Sequence, residues 1–247
     1  MIESISKPSK FSWIATDKPH HKRLVIEPLF PGYGTTIGNA LRRVLLNSLP
    51  GAAVVAIRIE GVNHEFSTIE HVKEDIVEIL LNVKQLRFRV HGEESVTVRL
   101  DVHGQKTVTA ADIEPNSEVE IGSPDQVIAT LTSKDARLSM ELVLERGRGY
   151  VPTETRDVKQ KLPIGTIAVD AIFTPVRSVG ITLENVRVGQ MTNYDKLDLS
   201  IETDGTITPE EAVEASLKIL LEQFGHLHSL VYEGGAATEP AAEEPTQ

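Results

Sequence analysis

Apolar residues recur along this chain in two rhythms, one close to four and one of two. Around residues 35–49, Ile37, Ala40, Leu41, Val44, Leu45 and Ser48 share one face at roughly 100° per residue, which predicts a helix. Thr35 or Thr36 can cap it, and Pro50-Gly51 stops it. The opposite face carries Asn39, Arg42, Arg43 and Leu46. A leucine among arginines fits an ordinary exposed position, and it equally fits a docking surface, where arginine and apolar anchors are enriched. Ile69, Val72, Ile76, Ile79, Leu80 and Val83 form a second stripe and predict a helix over 68–83, capped by Ser67 or Thr68. The clearest helix is the last. Thr208-Pro209-Glu210-Glu211 reads as a capping box with proline at the first helical position. Val213, Leu217, Leu220, Phe224, Leu227 and Val231 then recur as a heptad seam, with Ala212, Ala215, Ile219 and Leu230 as a second flank. A seam of this kind packs on a partner helix or inside its own domain, and the pattern leaves both open.

Period-two runs fill the remainder. Leu24-Val25-Ile26-Glu27-Pro28 predicts a short strand ended by proline. Val55, Ile57 and Ile59 alternate on one side of the next strand. Short runs follow at 86–90, 96–102, 108, 119–121, 127–128 and 138–142, punctuated by Gly92, Gly104, Pro115, Gly122 and Pro124. That spacing predicts an antiparallel β unit. Arg146-Gly-Arg-Gly-Tyr-Val-Pro152 interrupts the sheet, a polar stretch runs over 153–161, and strands resume at 164–171, 179–188 and 195–202. The first twenty residues read as an irregular arm, and the segment from Gly234, without a large apolar residue, as a disordered tail. The fold class is α+β.

Composition removes several kinds of chemistry. The 247 residues contain no cysteine, which excludes disulfides, thiolate catalysis and thiolate metal sites. No run of 18 apolar residues occurs, and the first ten residues lack the apolar core of a signal peptide. With 25 Lys+Arg against 36 Asp+Glu, the formal net charge is −11, which opposes whole-surface attraction to nucleic acid or anionic lipid. Gly32-x-Gly34-x-x-x-Gly38 before a helix invites a phosphate-loop reading, but it is neither the dinucleotide fingerprint nor the Walker pattern. His226 and His228 are two apart on a helix and do not share a face. No His-Glu-x-x-His, Gly-x-Ser-x-Gly or calcium loop is present. Three functions remain: a non-catalytic assembly protein, a phosphate-handling enzyme using Gly32 to Gly34 with Arg146 and Arg148, and a sheet-based nucleic-acid binder.

Longer motifs separate them. Glu27-Pro-Leu-x-x-Gly-Tyr-Gly-x-Thr-Ile-Gly-Asn-Ala-Leu-Arg-Arg-Val-Leu-Leu46, Gly61-Val-x-His-Glu-Phe-Ser-Thr68, Lys73-Glu-Asp-Ile-Val-Glu-Ile-Leu-Leu-Asn82, Glu145-Arg-Gly-Arg-Gly-Tyr-Val-Pro152, and Asp195-Lys-Leu with Glu202-Thr-Asp-Gly-Thr-Ile-Thr-Pro-Glu-Glu-Ala212 occur in this order. Together they resemble the N-terminal domain of bacterial RNA polymerase alpha subunits, over about residues 22–231. The arm, residues 1–21, matches poorly.

The resemblance implies a homodimer in the bacterial cytoplasm that nucleates polymerase assembly by docking the beta and beta-prime subunits. Residues 1–51 and 172–232 would form a discontinuous dimerisation subdomain of sheet plus two packing helices. Residues 52–171 would be an inserted β-rich subdomain, and 233–247 an acidic linker. Ile37, Leu41, Val44, Leu45, Val213, Leu217, Leu220, Phe224, Leu227 and Val231 would serve dimerisation. Arg43 falls on the arginine that governs beta binding in the family, and Leu46, Lys84 and Val169 fall on positions implicated in large-subunit contacts. Asn39, Arg42 and Arg148 would join them. No catalytic residue, cofactor or metal is expected on this chain, because the magnesium would sit on the large subunits. Family members usually continue into a small domain that binds upstream DNA and activators. This chain stops inside the expected linker, so little direct contact with nucleic acid is expected of it.

Overall fold

The computed structural model describes residues 5–156, 163 and 165–232. The chain order is β1 (Lys10–Ala15), β2 (His21–Leu29), α1 (Tyr33–Asn47), β3 (Pro50–Ile59), α2 (Ile76–Val83), β4 (Phe88–Val90), β5 (Val96–His103), β6 (Lys106–Thr109), β7 (Val119–Ile121), β8 (Val127–Leu131), β9 (Arg137–Arg148), β10 (Tyr150–Val151), β11 (Thr166–Ala168), β12 (Ala171–Ile172), β13 (Val176–Val188), β14 (Met191–Thr203) and α3 (Pro209–Tyr232). Short 3₁₀ turns at Ala110–Asp112 and Thr153–Thr155 complete it. The class is α+β, with antiparallel sheets and three α-helices among the described residues.

Two hydrophobic cores form. The first belongs to a four-stranded sheet in the order β1-β2-β14-β13. Leu24 pairs with Leu199 and Ile26 with Leu197 across β2 and β14, while Ile181 of β13 stands opposite Leu199. These side chains meet Leu41 and Leu45 of α1 and Ala212 and Val213 of α3. α1 buries Gly34, Gly38, Leu41 and Leu45, spaced four, three and four apart, so one stripe faces the sheet. The glycines let the helix ride low. A Cβ at Gly34 would stand 2.7 Å from Leu183 Cδ2, and one at Gly38 3.0 Å from Leu197 Cδ1.

The second core lies under a sheet in the order β5-β9-β3-β4-β7, with β11 also on β3. Ile57, Leu100, Leu142 and Leu144 pack there against Ile76, Ile79 and Val83 of α2. β3 runs between the halves, and its middle residues, 52–57, are buried on both faces. A bulge between Val54 and Ala56 breaks the expected alternation. Ile57 and Ile59 enter the second core, whereas Val55 turns to a small third cluster with Ala53, Ala171 and Phe173.

The chain returns from the second half to the first at Phe173, which crosses β3 and β9 at Gly51 and Gly147. A Cβ at Gly51 would overlap the Phe173 carbonyl oxygen, a backbone atom with no rotamer to yield. Gly51→Ala is therefore expected to cost about 3 kcal/mol, at the top of the overpacking range. In a thermal melt that is a loss of roughly 10 °C. An unchanged melting temperature would contradict the crossing geometry.

Several sequence expectations are corrected. β1 occupies the supposed arm and pairs with β2 from Lys10 opposite Glu27 to Ala15 opposite Lys22. β2 continues through Pro28 to Leu29. The helix expected over 68–83 begins only at Ile76, where the Asp75 carboxylate accepts the Glu78 N–H at 2.7 Å. Ile69 and Val72 still pack on the core, from irregular chain held against β8 by Lys73 N–H to Thr130 O. β9 runs unbroken through Arg146 and Arg148, and the break comes at Gly149, whose φ is +65°. Residue 164, most of the polar stretch and the tail from residue 233 lie outside the described residues.

Candidate functional site

The start of α1 disposes of the phosphate-loop reading. Gly32 holds a φ of +86° and no side chain of the helix caps it. Neither Thr35 nor Thr36 performs that role. The Asp195 carboxylate of β14 accepts the Gly32 N–H at 2.9 Å and the Gly34 N–H at 3.0 Å. A protein anion thus sits where a helix N-terminus would hold a phosphate.

Further along α1, Asn39, Arg42 and Arg43 are exposed. Leu46 is not an outward leucine, because it is half-buried and packs against the first core. Asn47 lies one turn after Arg43, and a Cβ on Gly149 would stand 3.5 Å from the Asn47 carbonyl oxygen. β3 pairs Pro50 with Arg148 at the same edge. The fold therefore brings Arg43 and Arg148 to one rim, with Tyr150 exposed beside them. Arg42, Arg43 and Arg148 make no ion pair among the described residues. On a chain of net charge −11, two free guanidinium groups at one rim, with exposed Arg42 next to Arg43 in the chain, form a local positive patch.

Lys84 and Val169 meet elsewhere, around Val55, roughly 17 Å along β3 from Pro50 at about 3.3 Å per residue. Val169 is buried in the second core and presents no side chain to a partner. Lys84 ends α2 and donates to Asp170 at 2.9 Å. Asp170 also accepts the Thr153 N–H at 2.9 Å. Arg156 donates to the carbonyls of Val55 and Val169, both at 2.7 Å, and so fastens the turn after β10 to β3. Sequence reasoning missed Asp170, Thr153 and Arg156. Their partners lie 13 to 101 residues away, and no local pattern marks such pairs.

The Thr153 amide and the Lys84 ammonium stabilise the ionised carboxylate, so the Asp170 pKa falls from 3.8 to about 2. A depressed carboxylate contributes stability above its unfolded pKa and loses it as the pH falls through the folded value. The contribution is complete above about pH 4 and fades between 3.8 and 2. Urea midpoints of wild type should consequently fall more steeply than those of Asp170→Asn on acidification through that window. Parallel slopes would remove Asp170 from the acid response.

The residues expected at a dimer contact divide by burial. Leu41, Leu45 and Val213 are enclosed in the chain's own core. Ile37, Val44 and Leu220 are half-buried. Leu217 is exposed, and Phe224, Leu227 and Val231 are 62, 56 and 78% exposed. From residue 221 to 232 no position of α3 is buried, although Leu221 and Leu230 are apolar as well. The capping box forms as expected, with Thr208 N–H to Glu211 at 2.8 Å and Glu211 N–H to Thr208 Oγ1 at 3.2 Å. A helix so started continues for about 18 Å, over its last twelve residues, without a covering side chain of its own. No group of metal-ligating side chains is assembled among the described residues, and none of their helices is long and apolar enough to cross a membrane.

Comparison with known proteins adds a family context. A family described as the RNA polymerase Rpb3/RpoA insert domain matches residues 56–174. A DNA-directed RNA polymerase subunit alpha of Clostridium acetobutylicum is 49% identical over 224 residues, covering 91% of this chain and 70% of that protein. The subunit of the same name from Alkaliphilus oremlandii is 52% identical over 202 residues, covering 82% of this chain and 63% of the relative.

Proposed function

Because this chain belongs to the family of bacterial DNA-directed RNA polymerase alpha subunits, we propose that two copies pair through α1 and α3 and that the pair docks the beta and beta-prime subunits. In this reading the chain is a scaffold in transcription. It carries no active site, and the nucleotidyl transfer with its magnesium belongs to the large subunits, in the bacterial cytoplasm.

The observation that carries the proposal is the uncovered half of α3. Isolated helices shorter than about 12–15 residues are marginal in water, and most helical stability comes from packing an apolar face. Leu217, Leu221, Phe224, Leu227 and Val231 offer such a face and leave it exposed. A second copy supplies the same face by two-fold symmetry, since an isologous contact is self-complementary. Phe224, Leu227 and Val231 then make the contact, with Leu217, Leu220, Ile37 and Val44 at its margin. Leu41, Leu45 and Val213 hold the helices in place from beneath.

The large subunits would meet the exposed rim of Asn39, Arg42, Arg43 and Arg148. Guanidinium groups without a partner are available for bidentate bonds to carboxylates of an acidic surface. Leu46 and Val169 support these surfaces from within, and Lys84 contributes through its bond to Asp170. Activators remain candidate further partners.

Reconstitution tests the reading. The chain is mixed with purified beta and then beta-prime subunits, and the assembly is weighed by native mass spectrometry. Two copies with one of each large subunit are expected. A chain that binds neither large subunit would contradict the scaffold.

A further inference from the structure

The two cores meet at a second place besides the crossing at Phe173. β14 ends at Thr203, and the chain turns through Asp204, Gly205 and Thr206 before Thr208 opens α3. Asp204 is a charged residue on this turn, yet its side chain is only 4% exposed. Its Oδ1 accepts the Thr206 N–H at 2.9 Å and the Thr206 hydroxyl at 2.6 Å. Its Oδ2 faces Arg87 Nε at 3.4 Å. Arg87 belongs to the other half, between α2 and β4. Its Nη1 donates to the carbonyls of Lys84 and Leu86, at 2.8 and 3.0 Å. The Nε is buried and finds no hydrogen-bond acceptor, so Asp204 is what balances its charge. Burial lowers the Arg87 pKa, the nearby Asp204 charge opposes that shift, and Arg177 adds to it.

Neighbouring contacts converge on the same turn. Arg89, two residues on, donates to the Thr206 carbonyl. A Cβ on Gly122 would stand 2.9 Å from Thr206 Cγ2, and the Gly122 N–H donates to the Arg87 carbonyl at 2.7 Å. The six-stranded half thus grips, by two arginines and one glycine, the turn that leads directly into α3.

We infer that Arg87 and Asp204 are a positioning pair that fixes the angle between the six-stranded half and the α3 unit. The pair is largely buried and touches no partner. Its consequence for docking rests on the proposed function, because Lys84 adjoins one half while Arg43 stands on the other. Removing either charge leaves the other buried and unbalanced, which favours a hinge motion that lets water in.

The test uses the absence of native cysteine. Spin labels are placed at Thr97→Cys on β5 and Thr182→Cys on β13, both exposed positions. Labelled chain is diluted into an excess of unlabelled chain, so that the distance within one copy is read. Asp204→Asn, which keeps the acceptor for Thr206, is expected to broaden or shift that distance while circular dichroism and solution mass stay as in wild type. Arg87→Gln is expected to do the same, and the double variant to go no further than either alone. If Asp204→Asn does not fold, the Arg87→Gln arm decides. Unchanged distances in the folded variants, or fully additive effects, would overturn the inference. Capture of a large subunit should weaken about tenfold in the same variants. Altered distances together with a wild type that captures nothing would instead leave the positioning pair standing and remove the scaffold reading.

Discussion

Glutamate at both Phe224 and Leu227 is expected to turn a dimer into a folded monomer. Neither residue is buried in the protomer, so neither substitution opens a cavity in the chain's own core. Each puts a charge where the proposal places a dry contact. Truncating an interface anchor costs about 2 kcal/mol or more, and burying an unpaired carboxylate costs several. Two such changes weaken association by at least a thousandfold, which at micromolar concentration separates the copies. Light scattering reads the mass, and a circular dichroism spectrum and melting transition close to those of wild type read the fold. Leu220→Glu is the poorer choice, because Leu220 packs against the chain's own core and its loss would confuse dissociation with unfolding. A dimer that survives both glutamates would place the contact elsewhere.

The second large effect is expected at Arg43. Arg43→Ala removes an exposed guanidinium with no ion-pair partner among the described residues, so the melting temperature and the dimer mass should hold. Capture of the large subunit that meets this rim should fall by about 2 kcal/mol or more, roughly thirtyfold. Val169→Ala serves as contrast. Its side chain is enclosed in the second core, so a cavity costs about 2 kcal/mol of stability, and docking suffers only through the fold. Equal docking losses at matched stability would contradict the assignment of Arg43 to the surface and Val169 to the interior.

Where the sequence was legible, one rule governed the segment. The last helix shows its capping box and its length, because the box is local and the apolar spacing is helical throughout. The strand-dense middle is legible for the same reason, since β5 alternates buried and exposed through eight residues. Tertiary pairing defeated the reading elsewhere. Ile69 and Val72 sit on the helical stripe of α2, yet Glu74 accepts the Thr130 N–H and Val72 bridges to Leu131, so the segment serves β8 instead. β1 lies at a sheet edge with only Trp13 half-buried, and such a strand shows no amphipathic alternation. The bulge in β3 moved Val55 to the opposite face without any mark in composition.

The rim proposed for docking was half legible. Arg42 and Arg43 stand out on the helical wheel, and Arg148 in its glycine-rich motif. That they share a rim depends on Pro50 pairing with Arg148, a contact across 98 residues. The cap of α1 came from Asp195, 163 residues beyond Gly32, and no local rule reaches that far.

The most direct measurement is the mass of the unmodified chain in solution, by light scattering across micromolar concentrations. A dimer weighs twice the 27.1 kDa of one chain, and that mass is expected throughout the range. A mass of 27.1 kDa at every concentration would contradict the pairing of α1 and α3 on which the scaffold rests.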